Sequence, residues 1–124
     1  MERLLVALSA CIFAGFGLWL FIDPGALAGI GIELTEPAAR IDVRATYGGL
    51  ELGLTAALLY CVYANRWLSP ALLVSACAIA GFGLGRLGGI ALEGQGTPLM
   101  WAFVGIEAVV ATVLFWAFRR SLKV

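Results

Sequence analysis

The sequence predicts an all-α membrane protein: a polytopic, antiparallel bundle of four transmembrane helices, with an interfacial outer segment between helices 1 and 2. The 124 residues are 62% hydrophobic and only 13% charged, whereas soluble domains carry about a quarter charged residues. The apolar residues fall into four blocks, each near the roughly 20 residues that cross a bilayer. Little sequence remains outside these blocks, so we expect a single transmembrane domain over residues 1–124.

The first apolar block, from Leu4 to Ile22, follows a single arginine and therefore has some features of a signal peptide. It is longer than a usual signal core, and no A-x-A cleavage site interrupts it. We therefore expect it to be retained as helix 1. The helix should end before Pro24, because proline cannot continue a helix and restrains the residue before it.

The segment that follows helix 1 is too short and too rich in glycine to cross a bilayer. It is also too apolar for a free solvent loop, so we expect it to lie at the outer membrane interface. Thr35, Glu36 and Pro37 are typical of a helix start, with a hydroxyl cap followed by an acid and a proline in the first turn. Helix 2 should begin near Glu36, enter the membrane near Arg44 and end near Tyr63.

Helices 3 and 4 are predicted over residues 69–92 and 98–118, where Ser69-Pro70 and Thr97-Pro98 provide start signals. Glycines spaced four residues apart predict close helix packing, since small residues let helices approach in a membrane. We expect this packing within the bundle rather than at a dimer face. The glycines concerned are Gly49 and Gly53 on helix 2, and Gly81, Gly85 and Gly89 on helix 3.

Basic residues predict the orientation of the four helices, because cytoplasmic loops are enriched in lysine and arginine. With four crossings, the N-terminus, the second loop and the C-terminus share one side. We therefore expect both termini in the cytoplasm. The basic residues on that side are Arg3, Arg66, Arg119, Arg120 and Lys123.

Composition also disfavours several kinds of function. The formal net charge is zero, and no basic tract is dense enough to indicate a nucleic-acid partner. The chain has no histidine, which is the commonest metal ligand and general base. Cys11, Cys61 and Cys77 lie inside apolar blocks without metal-site or C-x-x-C spacing. We therefore expect no metal site and no cofactor.

Three ionisable residues lie inside the apolar blocks: Glu51, Arg86 and Glu107. A charge at mid-helix costs about 2.5 to 3.5 kcal/mol on insertion scales, so such residues usually face the bundle interior and find partners. At a rise of about 1.5 Å per residue, each lies roughly 10 to 13 Å below the outer end of its helix. An arginine can bind two carboxylates, so we expect Arg86 between Glu51 and Glu107.

The sequence RATYGGLE adds polar groups to this level of helix 2. Arg44, Tyr47, Gly48 and Glu51 follow α-helical spacings of three, four and seven, which predicts a single stripe along the helix. We expect Arg44 and the Tyr47 hydroxyl above the charged cluster, toward the outer opening. Glycines near this level should leave space beside the charges: Gly48, Gly49, Gly85, Gly88 and Gly89.

The Arg-x-x-Tyr-Gly-Gly motif, the Gly-Arg pair of helix 3 and the glutamate of helix 4 resemble a family of small bacterial membrane proteins, domain of unknown function 4345. With the apolar first helix and the outer DP…L…GI segment, the resemblance covers nearly the whole chain. It implies a four-helix protein of the bacterial inner (plasma) membrane without an established activity. By their match to the family's motifs, the preferred ligand-binding residues are Arg44, Tyr47, Gly48, Gly49, Gly85, Arg86 and Glu107. Glu51 is added because of its depth in the membrane.

Several functional interpretations of the cluster remain open. A buried Arg–Glu network can simply fix helix register. The leading functional hypothesis is a non-catalytic protein, with membrane lipids as partners, that binds a lipid or amphipathic small molecule, or acts as an accessory subunit or homo-oligomer. The alternative is an intramembrane isomerase, cyclase or epoxide-opening enzyme that uses Glu51 and Glu107 as acid and base, with Tyr47 as a third catalytic candidate. Ion transport is disfavoured, because polar residues become sparse toward the cytoplasmic half.

Overall fold

The computed structural model describes residues 1–123, and this part of the chain is helical with no β-strand. The all-α class is therefore confirmed. The helices are α1 (Glu2–Ile22), a 3₁₀ helix (Pro24–Ile30), α2 (Pro37–Val43), a π-helical segment (Arg44–Gly49), α3 (Leu50–Ala64), α4 (Leu68–Glu93) and α5 (Pro98–Ser121).

Four helical stretches are long enough and apolar enough to cross a membrane, as the sequence predicts. They are α1, the continuous helix Pro37–Ala64, α4 and α5. The continuous helix consists of α2, the π-helical segment and α3, and we call it the second span. By length and composition, the fold is that of a membrane protein.

Local sequence sets most of the helix ends. Helix α1 stops at Ile22, before Pro24, as predicted. Asn65 and Gly94 end α3 and α4 in the left-handed conformation, with φ of 49° and 68°, which is common at helix C-termini. The Thr97 hydroxyl accepts a hydrogen bond from the Met100 backbone N–H at 3.3 Å and so caps α5.

Two helices begin within one residue of their predicted starts, but without the predicted caps. Helix α2 begins at Pro37 with Glu36 at its N-cap and no side-chain cap, so the Thr35 hydroxyl does not serve there. Helix α4 begins at Leu68, one residue before Ser69. The Ser69 hydroxyl instead accepts a hydrogen bond from the Ser121 hydroxyl at 2.7 Å. A contact distant in sequence thus replaces the local cap.

The segment after α1 is folded rather than extended. Its 3₁₀ helix places Leu27 in a buried apolar cluster with Leu20 of α1 and Val43 of α2, and Ala26, Ile30 and Leu34 pack around them. Burial of these side chains gives the segment its own small core. This packing accounts for the apolar composition of a stretch too short to span a membrane.

The chain forms two compact units, each with an antiparallel pair of long helices. The N-terminal unit is Val6–Arg66, and the C-terminal unit is Met1–Leu5 with Trp67–Val124. In the N-terminal unit, α1 packs against the second span. In the C-terminal unit, α4 and α5 form a hairpin that places Arg86 beside Glu107.

Candidate functional site

The centre of the candidate site is the ion pair between Arg86 of α4 and Glu107 of α5. Arg86 Nη2 lies 2.9 Å from Glu107 Oε1, and Arg86 Nε lies 3.4 Å from Glu107 Oε2. The guanidinium therefore meets both carboxylate oxygens, through one short contact and one long contact. The two side chains are 26% and 15% exposed, so the pair is largely but not fully enclosed.

The surroundings of Arg86 leave part of its guanidinium unused. Its Cζ atom lies 5.1 Å from the centre of the Phe103 ring, a cation–π contact that stabilises the charged guanidinium. A Cβ atom on Gly83 would lie 3.3 Å from Glu107 Cβ, so this glycine lets the two helices approach at the pair. Within residues 1–123, Arg86 Nη1 makes no hydrogen bond, whereas Nε and Nη2 bind Glu107. Two donor hydrogens are thus left for another molecule.

An open cleft of about 610 Å³ lies beside Arg86 in the C-terminal unit. Ile90 and Met100 give it an apolar wall, and Glu93, Gln95 and Thr97 give it polar groups near the α4–α5 turn. We call this the hairpin cleft. Its lining residues are Arg86, Gly89, Ile90, Glu93, Gln95, Gly96, Thr97 and Met100.

Most of the cleft was missed by reasoning from the sequence, which selected charges by their depth. Glu93 lies seven residues after Arg86 and therefore on the same face of α4. Gly89 was expected beside Arg86, and the spacing rule that was applied to helix 2 would have added Ile90 and Glu93. The contribution of Met100 required the three-dimensional path of the hairpin turn.

The Arg-x-x-Tyr-Gly-Gly motif forms the π-helical segment Arg44–Gly49, within an otherwise α-helical span. This corrects the predicted stripe, because a π-turn is wider than the α-helical turn on which the spacing argument rests. Gly48 and Glu51 are buried, whereas Tyr47 is 38% exposed. Single π-turns inside α-helices are rare and occur frequently at functional sites.

Gly48 and Arg44 both join the π-helical segment to α1. A Cβ atom on Gly48 would lie 2.8 Å from Phe21 Cβ and 3.0 Å from Phe21 Cα, so only glycine fits there without a shift. Arg44 Nε donates a hydrogen bond to the Phe21 carbonyl at 2.9 Å. This carbonyl is in the last turn of α1, where a cation is favourable. Gly49 is less constrained, since its added Cβ would meet only the Arg44 carbonyl at 3.5 Å.

Glu51 is buried, at 7% exposure, whereas Arg86 and Glu107 are only partly buried. Its Oε2 atom has no hydrogen-bond partner within residues 1–123. The nearby Thr55 hydroxyl donates instead to the backbone carbonyls of Glu51 and Ala10, at 2.9 and 3.4 Å. Gly17 of α1 packs against this residue, and its added Cβ would lie 3.1 Å from Glu51 Cβ.

The predicted site residues thus divide between the two units. The C-terminal unit holds Gly85, Arg86 and Glu107, and it joins the last two directly. The N-terminal unit holds the rest: Arg44, Tyr47, Gly48, Gly49 and Glu51. The arrangement of Glu51 beside Arg86 remains a prediction.

The glycine ladder of α4 does not form the α4–α5 contact. Within the C-terminal unit, an added Cβ on Gly81, Gly85 or Gly89 would meet no atom within 4 Å. The close approach of the two helices occurs at Gly83 instead. The hairpin therefore does not use this ladder, and packing through the ladder within a bundle remains a prediction.

The helical fold and a match to a known sequence family together define the class of this protein. The chain has the four long apolar helices of a membrane protein. It belongs to the family described as Domain of unknown function (DUF4345), whose model matches residues 1–118. The resemblance noted from the motifs is therefore confirmed. No curated protein and no solved structure matches the chain.

Proposed function

We propose that this protein resides in the bacterial inner membrane and binds a lipid or another amphipathic small molecule in the hairpin cleft. The observation that carries the proposal is the unused Nη1 group of Arg86 beside a cleft with an apolar wall. A ligand with an acceptor group and an apolar portion matches both features. The role is one of binding, with no chemical step.

The alternative that the ion pair only fixes helix register explains less of the geometry. A register-fixing pair requires the two contacts between Arg86 and Glu107. It does not account for the remaining donors of Arg86 or for the space beside them. An acceptor group on a ligand would add a charge-assisted hydrogen bond at Nη1.

Thermal unfolding in detergent tests the binding proposal. The wild type and an R86Q/E107Q double variant are compared with and without added membrane-lipid extract. The double variant removes both charges together, so neither is left alone in the apolar hairpin. We expect lipid to raise the wild-type unfolding temperature and to leave that of the double variant unchanged. An R119Q variant at the exposed end of α5 is the matched control and should respond like the wild type.

Equal lipid-dependent stabilisation of the wild type and the folded double variant would reject the proposal in favour of a register role. Absence of stabilisation in the wild type would also reject it. A stable double variant without a lipid response would support a binding role for the pair.

Basic residues support placing both termini in the cytoplasm, since Arg3, Arg119 and Arg120 lie at the two chain ends. A C-terminal fusion to alkaline phosphatase, which folds actively only outside the cytoplasm, should therefore be inactive. A fluorescent-protein fusion at the same end should fluoresce. The reverse pair of results would reject this orientation.

One observation favours the enzymatic alternative: the buried Glu51 carboxylate has an oxygen without a partner. A carboxyl group held away from water and free of an ion pair is suited to proton transfer. Purified protein would be incubated with a membrane-lipid extract and the products followed by mass spectrometry. Turnover that is lost in both E51Q and E107Q would favour an enzyme, and its absence in the wild type would reject it.

A further inference from the structure

The two ends of the hairpin cleft carry opposite charges. Arg86 and Glu93 both line it and lie seven residues apart on one face of α4, which corresponds to roughly 10 Å along the helix axis. Glu107 already balances the charge of Arg86. Glu93 makes no ion pair within residues 1–123 and is exposed at the last residue of α4. A cation site is therefore open at the end of the cleft nearer the turn.

From this arrangement we infer that the cleft recognises a zwitterionic head that joins a phosphate to a primary amine. The phosphate oxygens accept hydrogen bonds from Arg86 Nη1, and the ammonium group donates to the Glu93 carboxylate. The inference rests on the proposed function, because it names the class of ligand for the same cleft.

The separation of the Arg86 donors from the Glu93 carboxylate, rather than their net charge, disfavours the simpler ligand classes. Arg86, Glu107 and Glu93 together carry one net negative charge. A ligand with only an anionic head would satisfy Arg86 Nη1 but would repel the Glu93 carboxylate. A ligand with only a cationic head would satisfy Glu93 and leave the Arg86 donors without an acceptor. A zwitterion serves both ends without adding net charge.

The order of phosphate and amine along a phospholipid matches the order of Arg86 and Glu93 along α4. In an amine-headed phospholipid, the phosphate joins the head to the glycerol and acyl chains, and the amine is the free end of the head. Arg86 is likewise two turns inside α4, and Glu93 is at the helix end. Ile90 and Met100 in the same cleft offer apolar contact to the upper part of the acyl chains. We therefore assign the head to a phospholipid rather than to a soluble phosphate ester.

A primary amine is favoured over a quaternary one for a specific reason. A primary ammonium donates hydrogen bonds to a carboxylate, whereas a trimethylammonium group has no N–H to donate. Charge-assisted hydrogen bonds are roughly twice as strong as neutral ones. Phosphatidylethanolamine should therefore bind more tightly than phosphatidylcholine, and both should bind more tightly than phosphatidylglycerol.

The test titrates detergent-purified, full-length protein with these three lipids and with soluble glycerophosphoethanolamine, and follows binding by thermal shift and native mass spectrometry. We expect the wild type to bind phosphatidylethanolamine about tenfold more tightly than phosphatidylglycerol. E93Q should lose this preference while still binding lipid. E33Q removes another exposed carboxylate and is the matched control, which should keep the preference.

The outcomes separate this inference from the proposed function. Lipid binding that depends on Arg86 and Glu107 but does not prefer the amine head would overturn the inference and leave the proposed function intact. Absence of binding by every lipid would overturn both. A preference that survives E93Q would overturn the role of Glu93. Glycerophosphoethanolamine that binds as tightly as the lipid would overturn the phospholipid assignment.

Discussion

Glu107 and Glu51 are both glutamates within long apolar helices, yet their surroundings differ. Glu107 meets the guanidinium of Arg86 through both carboxylate oxygens. Glu51 is more deeply buried, and one of its oxygens has no partner within residues 1–123. A charge in a membrane span is costly, so each glutamate needs a separate explanation. The ion pair explains Glu107 locally, whereas the N-terminal unit offers the Glu51 Oε2 atom no such partner.

The two units also bring their helices together by different means. The α4–α5 hairpin uses an ion pair and one glycine, Gly83, at the same level. The contact of α1 with the second span uses Gly17 and Gly48, where backbone and side-chain atoms nearly touch. The first contact depends on charge and the second on shape. Substitutions that remove a charge or add a methyl group therefore distinguish them.

The largest expected effect follows removal of one partner of the ion pair. R86L leaves the Glu107 carboxylate alone in an apolar hairpin, and we expect the free energy of unfolding to fall by about 2 to 3 kcal/mol. R86L/E107L removes both charges and should lose less than half of that amount. Denaturant titration in detergent measures both variants. A double variant that is less stable than R86L would contradict the account of the pair.

A smaller loss of unfolding free energy is expected from G48A, which tests the close packing of α1 against the second span. Its new Cβ would lie 3.0 Å from the Phe21 Cα, so α1 must shift, at a cost of about 2 kcal/mol. G85A is the matched control, because an added Cβ there meets no atom within 4 Å in the C-terminal unit. G85A should be neutral or slightly stabilising, since alanine favours the helix. Equal losses in both variants would contradict the assignment of the G48A loss to its contact with Phe21.

The smallest effect is expected at Glu51. E51M replaces the carboxyl group with an apolar side chain of similar length, so the unsatisfied oxygen is removed. We expect the free energy of unfolding to rise by up to about 1 kcal/mol. E51Q keeps a buried polar amide and should show no such gain. A loss in E51M, measured by the same titration, would show that the Glu51 carboxylate has a stabilising partner.

The helical class and the four apolar spans could be predicted from the sequence, because span length and composition are local properties. The π-helical segment could not. Its residues follow α-helical spacing in the sequence, and Gly48 shows its role only through its contact with Phe21. The Ser69 hydroxyl was likewise misassigned, because its partner, Ser121, is distant in the chain.

The candidate site was predictable in part. The apolar context of Arg86 and Glu107 singles them out, and the structure pairs them. The hairpin cleft depends on how the α4–α5 turn places Met100 and Gly96 against the end of α4, where an added Cβ on Gly96 would lie 2.9 Å from Ile90 Cγ1. Depth along separate helices gives no information about that turn.

Native mass spectrometry of the protein purified from its own membrane is the sharpest test of the proposal that Arg86, held by Glu107, lines a ligand site. The wild type and R86Q/E107Q would be released from the same mild detergent under the same conditions. We expect a bound species of lipid mass on the wild type that is missing from the folded double variant. The same bound mass on both proteins, or none on the wild type, would contradict it.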